Sequence, residues 1–288
     1  MSNLRIIYNN AMDRAISTIA SSTAGTLTTA NLLTDLKSEV WRSTSTSATL
    51  TITWAVSEVV GGIVLPFTNL TSTATMRVRG YADPGDSVPA FDNGTGQFAS
   101  PAGLFGDPGE WGIAPLGSNS FIPGGVNTFN YGGGSAAYAW VPLTNIKKLV
   151  IDIVDADNTA GYIEASKLVV GGYWQASVNP EYGAVSMSNN ESTKIERSDA
   201  GDIRVDKGCM YRELSLNMQY LNTADRDFIY RIMRGNGMTK GMFVSCAPSS
   251  TDIGEEQIYM LYGYLSKSSA LSYQLFGKWG SSISVQEI

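Results

Sequence analysis

Between residues 43 and 56 apolar and polar positions alternate, with Ala48, Leu50, Ile52 and Trp54 on one side and Thr49, Thr51 and Thr53 on the other. A period of two is the mark of a half-buried strand. The alternation returns over 73–81, where Ala74, Met76 and Val78 oppose Thr75, Arg77 and Arg79. Residues 62–67 form a short apolar run that ends at the turn-like Thr68-Asn69. Strand character resumes over 148–154 and, after a turn at 155–158, over 162–171. Further strands are predicted at 211–220 and 241–247. Residues 257–266 and 271–285 read as a closing hairpin through 267–270.

One segment has helical spacing instead. Phe228, Ile229, Ile232 and Met233 share a face over 223–234. Thr223 can serve as N-cap, Asp225 and Asp227 suit the positive end of the dipole, and Gly235 follows as the stop. Its expected role is structural, covering the open side of a sheet.

Residues 80–141 break every period. They carry most of the prolines, almost half of the glycines and no Lys or Arg, together with many aromatic rings. Gly and Pro recur too often for a regular element to run far, and a stretch of this length tends to be functional. Trp111, Phe121 and Tyr131 within it are candidate interface or ligand anchors, since exposed aromatics anchor binding surfaces; a loop-local core is the competing role.

At 288 residues the chain exceeds what one core usually serves. Two domains are expected, 1–175 with the 80–141 excursion and 176–288 with the helix. The fold class expected is mainly β: an N-terminal β-sandwich and a second, C-terminal β unit with one short amphipathic helix. Only 16% of residues are charged and the net charge is −6. No basic cluster offers the footprint that nucleic acid requires. No apolar run approaches the ~20 residues of a membrane-spanning helix, and no leader pattern opens the chain.

The most restrictive count is zero histidine. It removes Ser-His-Asp and Cys-His nucleophile systems, His general bases and His-ligated zinc. Glycosidase chemistry needs two carboxyls across a cleft. Glu255 and Glu256 are adjacent, and Asp199 and Asp202 sit in a turn, so neither pair qualifies and no enzymatic activity is expected. Asp152, Asp155 and Asp157 could supply oxygens to Ca²⁺, although Asp residues at a turn more often bond their own backbone. No other cofactor is expected. Trp41 and Trp54 are read as core, as are Cys209 and Cys246.

Two passages carry a family resemblance. Ala30-Asn31-Leu32-Leu33-Thr34-Asp35, followed by Val40-Trp41-Arg42-Ser43 and an alternating strand, resembles the opening of galactose-binding-like (discoidin-type) jelly rolls. Residues 148–154, 155–158 and 163–171 are similar to the strand–turn–strand close of that family. The resemblance implies a jelly roll over 1–175 and places a structural Ca²⁺ site near 31–35, though the usual glycine is missing there. The second half is similar in pattern to the split β-barrel of phage tail-tube and distal-tail proteins. That resemblance implies a virion structural protein of a phage tail or baseplate, made in the host cytoplasm. It would assemble as a homo-oligomeric ring with other tail proteins, its barrel capped by the 223–234 helix. The alternative is a glycan-binding receptor-recognition module that contacts a host surface glycan.

Overall fold

The strands that alternation predicts gather into antiparallel sheets in a computed structural model, which describes residues 3–14, 16–23, 25–71, 73–95, 135–181, 183–248, 253–267 and 269–288. The protein is mainly β, with sandwiched sheets. It divides into two units, Met1–Gln175 with Met242–Met260, and Ala176–Gly241 with Leu261–Ile288.

The first unit begins with β1 (Arg5–Ile7), β2 (Ile16–Ser21), β3 (Trp41–Arg42) and β4 (Ser47–Thr68). It continues with β5 (Thr75–Tyr81), β6 (Phe91–Asp92), β7 (Ser135–Val154), β8 (Glu164–Ala165), β9 (Val169–Gly171) and β10 (Trp174–Gln175). One sheet runs β3-β8-β4-β7-β5-β6, with β2 and β9 also on β4. Its central strand unites two stretches that look separate in sequence. Residues 48–54 alternate as predicted, with Ala48, Leu50, Ile52 and Trp54 buried. The register with β7 then shifts between Thr53 and Glu58 and again between Val60 and Gly62. Such bulges bend a strand without ending it. Beyond them, residues 60–68 are buried throughout, as expected of a strand covered on both faces. At Gly62 a Cβ would lie 2.5 Å from Ile7 Cδ1 and 2.7 Å from the Trp140 ring, so only glycine fits.

β7 corrects the expected excursion, because residues 135–141 are strand and pair with the second half of β4. The alternation of Ala137, Ala139 and Val141 was hidden by the glycines just before it.

The segment 242–260 also departs from the expected boundary at 175/176. β15 (Met242–Ser245) pairs with β1, placing Phe243, Val244 and Ser245 opposite Ile7, Ile6 and Arg5. Behind it, α2 (Ile253–Ile258) occupies part of the expected 257–266 strand. Tyr138 Oη donates to Glu256 at 2.7 Å, and Gln257 Nε2 donates to the Ala136 carbonyl at 2.9 Å. Burial, and then the charge of Glu256, raise the Tyr138 pKa well above its ordinary value. A segment remote in sequence is thus claimed by strand pairing, which local pattern does not encode.

The second unit holds β11 (Val185–Glu191), β12 (Lys194–Arg197), β13 (Ile203–Asp206), β14 (Met210–Leu221), α1 (Thr223–Asn236), β16 (Met260–Leu265), β17 (Leu271–Leu275) and β18 (Lys278–Glu287). β16 belongs to this unit from Leu261 onward. β18 pairs with β14 along one side and with β16 and β17 in succession along the other, while β11 pairs with β14. No pairing among the described residues closes this row into the expected split barrel. The closing hairpin is also different: the turn is Phe276-Gly277, where Gly277 has φ +71°, a value that favours glycine.

α1 confirms the helical spacing and corrects both ends. Asn222 is the N-cap, its Oδ1 accepting from Asp225 N at 2.8 Å. The helix runs past Gly235 to Gly237, which has φ +52° and donates to the Met233 carbonyl. Ile229 and Ile232 are buried, Phe228 and Met233 only half so. Cys246 is half-buried, and its desolvation pushes the thiol up to about 12, whereas Cys209 is exposed rather than core.

Candidate functional site

Alternation on two short strands builds the most developed polar cluster of the first unit. β3 and β8 pair in the register Trp41↔Ala165 and Arg42↔Glu164. Trp41 and Ala165 face the core at 0% and 1% exposure, which turns Arg42 and Glu164 to the opposite face. Arg42 Nε donates to Glu164 Oε1 at 2.7 Å, and Nη2 donates to the same oxygen. That hydrogen bond raises the Arg42 pKa and keeps the guanidinium charged. The guanidinium also lies 4.2 Å from the centre of the Tyr162 ring. Such stacking orients both groups.

A second tier holds the loop that presents Tyr162 and Glu164. Asn69 Nδ2 donates to the Tyr162 carbonyl at 2.9 Å while its Oδ1 accepts from Glu164 N at 2.7 Å. Asn158 Nδ2 donates to the Asn69 carbonyl at 3.2 Å and to Asp155 Oδ2 at 3.0 Å. Asp155 is fully buried and accepts from Thr71 N at 2.9 Å and from the Thr71 hydroxyl. Ser43 Oγ accepts from Ile163 N at 2.9 Å. Buried polar groups are costly unless satisfied, and here each one is spent on fixing a surface loop.

What faces solvent is an aromatic ring, a guanidinium and a carboxylate. The side chains of Arg42 and Glu164 are 41% and 23% exposed. Glu164 Oε2 and the Tyr162 hydroxyl have no partner among the described residues. Convergent donors and acceptors beside a ring can bind a neutral, hydroxyl-rich ligand through paired hydrogen bonds.

The candidates read from sequence are placed as follows. Trp41 and Trp54 are core, and Trp54 Nε1 donates to the Ala11 carbonyl at 3.2 Å. Asp152 accepts from Thr49 Oγ1 at 2.8 Å and pairs with Arg79. Asp155 holds Thr71 and Asn158, and Asp157 accepts from Thr73 Oγ1 at 2.7 Å. The three carboxylates therefore answer different partners, and no group of three potential ligands converges among the described residues. Trp111, Phe121 and Tyr131 lie outside the described residues. Near 31–35, Lys167 Nζ, on a residue 1% exposed, sits 2.7 Å from Asp35 Oδ1, 3.1 Å from Asp13 Oδ1 and 3.1 Å from the Leu33 carbonyl. Sequence reasoning missed the Arg42–Tyr162–Glu164 cluster. Its signal was Tyr162 and Glu164 two apart on a predicted strand, with Arg42 just after a core tryptophan.

No family model and no curated protein matches the sequence. Solved structures do. A module from Clostridium perfringens, CpGH89CBM32-5 in complex with GalNAc-β-1,3-galactose, matches with a TM-score of 0.35 and 9% identity, over 54% of this chain and 94% of that one. CBM32 of AlyQ in complex with 4,5-unsaturated mannuronic acid gives 0.34 and 11%, over 54% and 95%. CBM32-3 from a family 31 glycoside hydrolase of Clostridium perfringens gives 0.38 and 11%, over 57% and 94%. At these scores the matches report a resemblance, and the argument below rests on the chain's own geometry.

Proposed function

We propose that the protein is a non-catalytic binding protein whose first unit recognises a glycan. The observation that carries this reading is the Arg42–Tyr162–Glu164 cluster, held in place by Asn69, Asn158 and Asp155. Preorganised donors and acceptors lower the entropic cost of fixing a ligand rich in hydroxyl groups. In this reading Arg42 and Glu164 take adjacent hydroxyls, and Tyr162 supplies an apolar surface for a sugar ring.

The test is a glycan array probed with the full chain, followed by calorimetry on any glycan bound. A fragment of residues 1–175 is unsuitable, since it would strip β15 from β1 and Glu256 from Tyr138. Arg42→Ala and Tyr162→Ala are each expected to weaken binding by about tenfold or more, equivalent to ~1.4 kcal/mol. Unaltered binding in both variants would refute the site, and an empty array would refute the function.

A tail-assembly role is the second reading. It is favoured by one observation, the open sheet and exposed hairpin of the second unit.

A further inference from the structure

The second unit carries an arm that its own sheet does not use. β11 and β14 pair as far as Glu191↔Met210, and beyond them the chain continues as the separate ribbon β12–β13. Six residues from 192 to 197 extend it by roughly 20 Å at ~3.3 Å each. Every residue of both strands is exposed. Two-stranded ribbons alone are marginal in water.

Its register separates two faces. Ile195 opposes Val205 and Arg197 opposes Ile203 on one, while Lys194 opposes Asp206 and Glu196 opposes Arg204 on the other. Ile195, Ile203 and Val205 are 69%, 57% and 61% exposed. An alternation that normally marks a covered face is therefore left open.

The charges indicate what can pair with its free edge. Residues 192–209 hold Lys194, Arg197, Arg204 and Lys207 against Glu196, Asp199, Asp202 and Asp206, a balance of zero in a chain of net charge −6. Two arms can approach where two whole chains would repel. Moreover, β12 reads cation, aliphatic, anion: Lys194, Ile195, Glu196. Aligned antiparallel with a copy of itself about Ile195, it places Lys194 opposite Glu196 twice and Ile195 opposite Ile195. Charged side chains on an edge ordinarily discourage pairing, but in this alignment each charge of Lys194 and Glu196 meets its opposite on the copy. Neither Lys194 nor Glu196 forms an ion pair within the chain among the described residues. No described strand pairs with the outer edge of β11 or of β12.

We infer that the arm is a homotypic docking element, and that two copies of this chain join by antiparallel pairing of β12 with β12 about Ile195. The partner is a second copy of the chain, and the inference is independent of glycan binding.

Sedimentation velocity of the full chain over a range of concentrations tests it. The wild type should move from monomer to dimer. Lys194→Glu and Glu196→Lys each set like charges opposite one another twice, and each should raise the dissociation constant by at least about tenfold. An equimolar mixture of the two variants restores both opposite-charge contacts and should dimerise as the wild type does. Recovery in the mixture also shows that both variants keep a folded arm. A wild type that stays monomeric, single variants that associate normally, or a mixture that fails to recover would each overturn the proposal.

Discussion

The long central strand of the first unit and the edge strands of the second have opposite surroundings. In the first, β4 is flanked by β7 on one side and by β2, β8 and β9 on the other, and its polar groups are spent on loops and on buried partners such as Lys167. In the second, β11 remains an open margin and β12–β13 leaves the sheet altogether. Exposed apolar side chains occur in both units, with Val56 and Val88 at 71% and 77% in the first. Ile195, Ile203, Val205, Met210, Tyr273, Leu275 and Phe276 all belong to the second unit, and Phe276 is 98% exposed. A closed core makes a rigid platform for a small site, whereas an open sheet with a balanced arm is suited to another chain.

Substitutions can break or sharpen this contrast. The largest loss is expected for Trp54→Ala, which empties a closed core and should cost about 4 kcal/mol in chemical denaturation. Lys167→Met comes next. It leaves Asp13 and Asp35 without their shared cation and should cost about 2 kcal/mol, less than a fully buried pair because the carboxylates are 43% and 33% exposed. In Lys167→Ala, added Ca²⁺ should recover part of the loss, because the oxygens that held the ammonium suit that ion; a melting temperature indifferent to Ca²⁺ would count against this. In the second unit Asn222→Ala removes only a cap and should cost about 1 kcal/mol.

A pH effect is smaller. The Arg77 guanidinium holds the Asp92 carboxyl down to about 2, below the ~3.9 of an unfolded chain. Asp92 therefore contributes stability that is complete above the unfolded value and is lost as pH falls through about 2. Asp92→Asn should flatten that part of the stability–pH curve. The smallest folding effect is predicted for Ile195→Ser, within about 0.5 kcal/mol because nothing in its own chain covers the residue. Its effect should appear in association instead.

Sequence showed the first unit more fully than the second. The alternations at 48–54 and 74–78 name buried faces directly, because a half-buried strand writes its environment into every second residue. Trp54 was legible as core for the same reason, and Trp41 through the family resemblance, which implies a core tryptophan before the long strand. The pairing of β15 with β1 was not, since contacts across more than two hundred residues leave no local period. Nor was the role of Lys167, because a lysine in sequence gives no sign of which carboxylates will surround it. The α1 spacing gave Ile229 and Ile232 correctly, but its caps moved to Asn222 and Gly237, where several polar or glycine residues compete for one geometry. The arm was hidden differently. No strand is expected from sequence over 192–209, and only the register shows that Ile195, Ile203 and Val205 share one face of a ribbon. The Arg42–Tyr162–Glu164 cluster needed the β3–β8 register in the same way.

Backbone hydrogen exchange in the arm tests the contrast between a finished unit and an unfinished one most directly. At low protein concentration the amides of 192–209 should exchange far faster than those of β4 and β7. At high concentration the β12 amides should become protected, and in Lys194→Glu they should not. Arm amides that exchange equally fast at every concentration, or that are already protected in the dilute monomer, would contradict the account.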